Sequence, residues 1–304
     1  MTATTPSTAT PFVRKDNASQ RRLADAVATG LLWTAALGIV LLLAVFIGYL
    51  LYLGAHVISW HFLTAPPSEI SAGGGIGPEI FNSFYILVLT LIFTVPVATA
   101  AGIYLQEYAR PGLFNSTVQF CAESLATIPS IVMGLFGLIV FVQVLHWHFT
   151  ALGGALALTL LNLPALMRVT QEGLASVPQA LREGSMALGA TKWQTIRRVV
   201  LPGSIAPLTT GIILIAGRII GETAVLIYTA GVSVSPGRSA FNWNPFHPAE
   251  TLSVHLWYTH SEGLVPDAVD IGNGSALVLL LIVLVFNISA RILGRGLSRH
   301  FTGK

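Results

Sequence analysis

The feature that most constrains this chain is a series of long apolar runs that contain almost no charge. No charged residue occurs between Asp25 and Glu69, and Ala26–Leu53 is almost wholly apolar. About 20 apolar residues are enough for a helix to cross the hydrocarbon core of a bilayer. Charged residues make up 10% of the chain, against roughly 25% in soluble domains. The sequence therefore argues against a soluble enzyme and predicts a membrane protein.

The remaining charges divide the chain into six predicted spans. The first apolar run is too long for the core of a cleaved signal peptide, so we expect it to be retained. The stretch between Glu123 and Arg168 is too long for one crossing, and the turn is expected at His146-Trp147-His148. An all-α polytopic protein follows, with predicted spans at Ala26–Leu53, Ile80–Gln106, Ser124–Leu145, Ala151–Met167, Gly203–Tyr228 and Gly274–Ile292.

Lysine and arginine predict the orientation of these spans. Six spans place both termini on one side, and almost all basic residues lie in segments of that side, whereas the opposite loops carry only Arg238. Basic loops remain in the cytoplasm. The acidic residues of the outer loops, such as Glu250 and Asp267, are interpreted as solvated charges. The expected parts are a cytoplasmic segment 1–25, a transmembrane domain 26–297 with outer loops 54–79 and 229–273, and a cytoplasmic tail 298–304.

Prolines and small residues within the predicted spans suggest a pathway or close helix packing. Pro96, Pro129, Pro164 and Pro207 each remove a backbone donor, which is tolerated at membrane depth where protein or a water-filled cavity satisfies the freed carbonyl. For any one of these prolines, packing alone is the simpler interpretation. The small residues of the fifth span likewise suit close helix contacts. They are Gly211, Ala216, Gly217 and Gly221.

The loop 176–202, between the fourth and fifth spans, has the sequence pattern of a helical hairpin. Ser176–Gln179 and Thr191–Gln194 each match a capping box, so a short helix is expected to begin at each. Gly189 suits the left-handed residue that ends the first helix, and the second is expected to finish before Pro202. The first helix would then have an apolar face made of Ala180, Leu181, Gly184, Ala187 and Leu188.

Three stretches of this loop resemble the EAA loop of ABC-importer permeases: Glu183-Gly184-Ser185, Gly189-Ala190 and Val199-Val200-Leu201-Pro202. The spacing matches throughout, and the departures from the family pattern are small or isosteric residues. The resemblance implies a MetI-like permease fold with a cytoplasmic coupling hairpin that docks on a separate ATPase subunit. It also implies that the coupling residues are Glu183, Gly184, Ser185, Gly189 and Ala190.

Gly102–Tyr108 resembles the end of the second span in such permeases. Ile128–Gly137 and Gly217–Gly231 are similar to the phosphate-specific branch of that family, and Thr251–Tyr258 with Ser261–Leu264 favours its A-type permease. This resemblance implies a subunit that moves inorganic phosphate inward across a bacterial or archaeal cytoplasmic membrane. The implied partners are a second permease subunit, an ATPase dimer that binds ATP and Mg²⁺, and an extracytoplasmic phosphate-binding protein.

Arg218 and Glu222 are charged residues within the fifth predicted span. Charges in a bilayer are costly and usually face a protein interior or an aqueous path. Four residues apart on one helix, they are expected to pair. In the functional interpretation, Arg218 binds phosphate through its planar guanidinium, Glu222 neutralises Arg218 in the empty path, and Thr223 adds a hydroxyl. In the structural interpretation, the pair only fixes helix packing.

Several other classes of site are absent from the sequence. No GxxxxGK[ST] segment occurs, so the chain is not expected to bind ATP itself or to be an enzyme. His146 and His148 are closely spaced but have no Cys or carboxylate nearby, so no metal site is predicted and the histidines are interpreted as interfacial. The alternative functions are an ion-coupled secondary transporter or channel with Glu222 as proton carrier, and a membrane scaffold without transport. Neither alternative requires a docking hairpin.

Overall fold

The computed structural model describes residues 18–68, 71–232 and 241–302. Expectations that concern residues 1–17, Glu69, Arg238 or Lys304 lie outside the described residues. Within the described ranges every regular element is helical. The first five α-helices are α1 Ala18–Gly54, α2 Trp60–Thr64, α3 Gly77–Ile103, α4 Leu113–Thr127 and α5 Ser130–Gly137. The others are α6 Ala151–Ala175, α7 Gln179–Ala187, α8 Lys192–Thr195, α9 Leu201–Gly203, α10 Ile205–Gly221, α11 Ala224–Thr229, α12 Leu252–Ser261 and α13 Ala268–Thr302.

Three π-helical segments extend these helices with a wider turn. They are Tyr104–Tyr108 after α3, Leu138–Val144 after α5 and Ile196–Val200 between α8 and α9. Short π-helical segments are rare and are often found near functional sites. The first of them contacts the loop 176–202, for which the sequence predicts a coupling hairpin, and the third lies within that loop.

Six spans are present when bent helices are included. Four continuous stretches are long and apolar enough to cross a membrane: Arg22–Gly54, Gly77–Tyr108, Ala151–Ala175 and Ala268–Ile292. Two bent pairs complete the set, Leu113–Thr127 with Ser130–Val144, and Lys192–Gly203 with Ile205–Gly221. The predicted all-α polytopic fold with six spans is confirmed, although two of the spans differ from the prediction.

The chain divides into two compact units, Met1–Tyr49 and Leu50–Lys304. In the second unit, α3 and α6 pack along each other around a buried core that includes Ile86, Leu158 and Leu166. A hydrogen bond of 3.1 Å between the hydroxyls of Thr94 and Thr159 joins the two helices inside this core. Because both hydroxyls are buried, this bond satisfies groups that would otherwise be costly to remove from water.

Small residues bring α10 close to its neighbours, as the sequence predicts. A Cβ added at Gly211 would lie 2.3 Å from Val169 Cγ1 on α6, and one added at Gly217 would lie 3.1 Å from the Asn287 amide on α13. Helix pairs in membranes use such small residues for close approach. Gly221 does not serve this purpose, because nothing lies within 4 Å of a Cβ added there.

The third span is bent where the sequence predicts one continuous helix. The expected helix Ser124–Leu145 is broken at Ile128 and Pro129, where both residues adopt extended backbone and the axis turns by 101°. Proline disfavours helical conformation in the residue before it and lacks the N–H that the helix would need. Ser124 therefore belongs to α4, and the part of the span after the break is Ser130–Val144.

The fourth span and the turn before it follow the prediction more closely. His146 and His148 have positive φ values of 55° and 58°, so the chain reverses where the histidines were expected to form a turn. Thr150 then caps α6, its hydroxyl accepting a hydrogen bond of 3.0 Å from the Gly153 N–H. The helix continues beyond Met167 as far as Ala175, which is eight residues more than charge placement indicated.

The predicted helix Gly203–Tyr228 is interrupted twice. It bends by 65° near Ser204 and ends at Gly221, and α11 begins only at Ala224. Glu222 has extended backbone, and its carbonyl accepts a hydrogen bond of 2.8 Å from the Ser253 hydroxyl of α12. This bond satisfies a group that the broken helix leaves free. Hydropathy gave no sign of the interruption, because all of these residues lie in one apolar run.

Candidate functional site

The break after α10 places the predicted substrate residues in different settings. Arg218 lies in the last turn of α10 and is exposed, and its side chain makes no hydrogen bond or ion pair with any residue that the structure describes. Glu222 lies beyond the helix end and is half-buried. The expected Arg218–Glu222 pair is therefore not formed. The physical reason is that i and i+4 share a face only while the helix continues between them.

Thr223 begins the short helix α11. It occupies the N-cap position, but its side chain makes no capping hydrogen bond. Together with Ser253, His260 and Asn273, Thr223 lines a shallow, open cavity of about 530 Å³. Thr223 thus lies beside a largely apolar depression next to the non-helical residue Glu222, and Arg218 is not among the residues that line this cavity.

The hairpin between the fourth and fifth spans forms largely as predicted. Gly189 has φ +87° and follows α7, so the expected left-handed residue is present at the turn. The Thr191 capping box is also present: its hydroxyl accepts from the Gln194 N–H, and the Gln194 side chain accepts from the Thr191 N–H at 2.9 Å. Ala190 is half-buried, and its N–H donates to the Ser185 carbonyl at 3.3 Å.

Two details of the hairpin differ from the prediction. Ser176 does not cap α7; it is the C-cap of α6, and its hydroxyl donates to the Gly173 carbonyl at 2.7 Å. Because α6 extends to Ala175, Ser176 caps the end of α6 and is not available as the N-cap of α7. The second helix also does not finish before Pro202, which lies within α9. Proline is tolerated there because it occupies the first turn of that short α-helical segment, where no intrahelical donor is required.

One face of α7 is apolar and has no partner within the described residues. The members of the predicted face, Ala180, Leu181, Gly184, Ala187 and Leu188, are all exposed. The side chain of Leu188 is 91% exposed, and that of Leu181 is 54% exposed. Glu183 is exposed as well, whereas Ser185 points into the hairpin, where its hydroxyl lies 3.0 Å from that of Thr195. The exposed apolar face of α7 thus lacks a packing partner among the described residues.

The opposite side of the hairpin is fixed to the end of the second span. Arg182 donates to the Glu107 carboxylate and to the Leu174 carbonyl. The Arg182 and Glu107 side chains are only 12% and 9% exposed. Lys192 donates to the Glu107 carbonyl and lies 5.0 Å from the centre of the Tyr108 ring. These contacts join α7 and α8 to the π-helical end of α3.

Sequence analysis does not predict this connection, because either charge alone suits an exposed position at the end of a span. The two residues lie 75 positions apart in the chain. Removing one partner of a buried ion pair is strongly destabilising, by about 3–5 kcal/mol. The pair therefore fixes the hairpin to the end of the second span.

A second polar cluster lies at the opposite end of the second unit and was also missed. Glu79 near the start of α3 is fully buried and lies beside Glu250 and His255, which are both buried as well. The interpretation of Glu250 as a solvated loop charge is wrong, and so is that of His255 as an interfacial histidine. Both are removed from water because α12 packs on α3 and α13.

The contacts within this cluster are specific. His255 Nδ1 lies 3.0 Å from Glu250 Oε1, and the Asn82 side chain donates to the Glu250 carbonyl at 3.0 Å. Burial by itself lowers the pKa of His255, but the hydrogen bond to Glu250 and the charges of Glu79 and Glu250 outweigh burial and raise the pKa above its usual range. The cluster thus favours a positive charge between its two carboxylates.

The architecture by itself indicates the class of protein. A series of six membrane spans with an exposed helical hairpin between the fourth and fifth suits a transport subunit driven by another protein. Residues 98–303 match the family model described as the binding-protein-dependent transport system inner membrane component. The chain belongs to this family, and it is a multi-pass membrane subunit of an ABC importer.

Similar proteins support this assignment. A probable ABC transporter permease protein of Bacillus subtilis, YqgI, is 42% identical over 93% of this chain and 99% of its own length. The phosphate transport system permease protein PstA of Yersinia pestis is 33% identical over 76% of this chain and 75% of its own. PstA 2 of Mycobacterium bovis is 30% identical over 92% of this chain and 91% of its own.

Solved structures agree on the fold. A chain of a bacterial alginate ABC transporter, in complex with an alginate-bound periplasmic protein, superposes with a TM-score of 0.68 at 17% identity, covering 92% of this chain and 98% of its own. A chain of the inward-facing MetNI methionine ABC transporter gives a TM-score of 0.56 at 18% identity, covering 74% of this chain and 95% of its own. The MetI-like permease fold expected from the sequence is confirmed.

Proposed function

We propose that this chain moves inorganic phosphate inward across the cytoplasmic membrane, as one of two permease subunits of an ABC importer. ATP hydrolysis is supplied by a separate ATPase dimer, and phosphate is delivered by an extracytoplasmic binding protein. The substrate assignment is supported by relatives named as phosphate transport system permeases, which are 30% to 34% identical to this chain. The observation that carries the proposal is the unpaired guanidinium of Arg218 at the break in the fifth span.

Arg218 suits a tetrahedral oxyanion for a physical reason. A charged side chain within a span is stabilised only by a counter-charge, by polar protein groups or by water. The described part of this chain offers Arg218 no such partner. A guanidinium presents parallel N–H donors that match two phosphate oxygens, and this arrangement is stronger than a single neutral hydrogen bond. The non-helical residues after Gly221 suit the wall of a pathway, because irregular backbone at membrane depth is tolerated beside a cavity.

The role of the hairpin follows from its two faces. The exposed apolar face of α7, with Glu183 beside it, is the surface that we assign to the ATPase subunit. Binding of an amphipathic helix in a groove buries such a face. The contacts of Arg182 and Lys192 with Glu107 then carry the movement to α3. Gly184 belongs to that exposed face, whereas Ser185, Gly189 and Ala190 shape the turn of the hairpin.

Uptake of radiolabelled phosphate tests the proposed substrate. Cells that lack other phosphate importers and carry this chain with its proposed partner subunits are expected to take up phosphate in an ATP-dependent manner. A tenfold excess of unlabelled phosphate should lower the signal about tenfold, and an equal excess of sulfate, which has the same tetrahedral shape but no proton to donate, should not. Equal competition by sulfate, or assembly of the complex without phosphate uptake, would contradict the phosphate assignment.

The proposed orientation is tested by cysteine labelling. Ser261 at the end of α12 and Ser116 on α4 are both exposed, so substitution of either by cysteine is expected to disturb the fold little. In a Cys121→Ser background, a membrane-impermeant maleimide added to intact cells is expected to label Ser261→Cys and not Ser116→Cys. Both should react after permeabilisation, which serves as the control. Labelling of Ser116→Cys alone in intact cells would reverse the assigned topology.

A further inference from the structure

The buried cluster Glu79–Glu250–His255 has the geometry of a metal site. One oxygen of each carboxylate and one nitrogen of the imidazole lie within 4.8 Å of one another. Ligands on tetrahedral zinc lie about 3.4 Å apart when the bonds are about 2.1 Å long. Small side-chain rotations would therefore bring the three atoms into the first coordination shell of one ion.

Free polar atoms in this cluster point to a missing ligand. Both carboxylate oxygens of Glu79 and the Nε2 atom of His255 are buried and have no hydrogen-bond partner among the described residues. A buried carboxylate without donors is strongly destabilising, because it loses its hydration and gains nothing in return. A cation bound by Glu79 removes this cost directly. The Glu79 carboxylate, which has no hydrogen-bond partner among the described residues, therefore lies close to the possible ligand atoms of Glu250 and His255.

We propose that Glu79, Glu250 and His255 bind a divalent transition-metal ion of the Zn²⁺ class. A divalent transition-metal ion suits a ligand set that contains carboxylates and a neutral imidazole. A mixed set of one nitrogen and two oxygens suits Zn²⁺ better than Ca²⁺ or Mg²⁺, which prefer six or more oxygen ligands. Three protein ligands leave a further position for water, as in many zinc sites.

A route for the ion is present next to the cluster. Glu250 and His255 line a cavity of about 150 Å³ whose wall also includes Ser68, Tyr258 and Thr259. The cavity is large enough to admit a hydrated ion, and the hydroxyl groups of its wall can replace the water molecules that the ion loses. In the proposed orientation, this cavity lies on the extracytoplasmic side of the membrane. The metal-binding site of the ATPase lies on the opposite side and does not compete for the same ion.

The bound ion has a structural consequence. Glu79 belongs to α3, whereas His255 belongs to α12, which lies between the fifth and sixth spans. The ion therefore links the outer end of the second span to the helix whose Ser253 satisfies the carbonyl of Glu222. We expect Zn²⁺ to stabilise this outer end and to bind more weakly at low pH, because His255 must release its proton to become a ligand.

Metal content of the purified transport complex tests the site. The complex is isolated through a streptavidin-binding tag, loaded with Zn²⁺ and freed of unbound metal, and its zinc is measured by mass spectrometry. The wild type is expected to retain about one zinc ion per chain. Glu79→Gln and His255→Gln should lower that content at least tenfold. The matched controls Glu262→Gln and His260→Gln, which change exposed residues of the same types, should keep it.

A second measurement avoids any dependence on folding of the variants. Cobalt(II) replaces zinc in such sites and gives visible ligand-field absorption when four or five ligands surround it. The loaded wild-type complex should show this absorption and lose it when Zn²⁺ is added. A wild-type complex that retains neither zinc nor the cobalt spectrum would overturn the proposal, as would equal zinc content in the wild type and in an assembled Glu79→Gln complex.

Discussion

Replacing Arg218 by lysine is expected to lower phosphate uptake roughly 10- to 150-fold, although the positive charge is retained. Hydrogen bonds to a charged group contribute about 1.5–3 kcal/mol, and each 1.4 kcal/mol corresponds to about tenfold. Lysine loses the planar pair of donors, so a bidentate contact with phosphate is replaced by a single point charge. Uptake of radiolabelled phosphate, normalised to the amount of assembled complex, is the measurement.

Arg291 provides a matched control for this experiment. It is an exposed arginine near the end of the last predicted span, and we assign it no contact with phosphate. Arg291→Lys should leave uptake within about twofold of the wild type, in line with the small effects of most surface substitutions. Near-normal uptake by Arg218→Lys would contradict a bidentate contact with phosphate. Equal losses in both variants would show that any arginine change in these spans disturbs assembly.

Replacing Gly189 by valine is expected to reduce both uptake and transport-stimulated ATPase activity by roughly 5- to 30-fold, while the protein still inserts into the membrane. Gly189 has φ +87°, and a left-handed backbone costs an ordinary residue about 1–2 kcal/mol and a β-branched one more. One to two kcal/mol shifts an equilibrium by about that factor. Nothing lies within 4 Å of a Cβ at this position, so the effect is one of backbone conformation and not of steric contact.

Asparagine at position 189 separates these explanations. Asparagine adopts the left-handed conformation more readily than other residues with a side chain. Gly189→Asn should therefore retain most of the activity that Gly189→Val loses. If both variants behave like the wild type, the turn angle has no role in coupling. If both fail equally, the side chain obstructs the ATPase subunit, and the conformational explanation is wrong.

The connection between the hairpin and the second span is a contact that the sequence does not predict. Local patterns were sufficient for Gly189 and for the Thr191 capping box, because turns and caps depend on residues within a few positions of each other. Glu107 and Arg182 pair across 75 positions. A single sequence gives no signal for such a contact, since either charge is equally compatible with an exposed position at the end of a span.

The fifth span illustrates a different limit. Hydropathy registers only that the segment is apolar, so Gly203–Tyr228 was predicted as one helix and Arg218 and Glu222 as a pair. The helix ends at Gly221 because tertiary contacts satisfy the freed backbone, with the Ser253 hydroxyl bonded to the Glu222 carbonyl. Whether a helix continues through an apolar run is thus decided by partners that lie 31 positions away.

The sequence by itself determined the number and order of the spans, the hairpin between the fourth and fifth, and the exposed face of α7. These features follow from composition and from spacing within single elements, which the hydrophobic effect and local backbone preferences control. Only the tertiary structure decided the bend at Pro129, the lack of a partner for Arg218 among the described residues, and the burial of Glu79 with Glu250 and His255. Those features depend on which elements pack together. The sequence alone does not distinguish a charged side chain that is buried from one that is solvated.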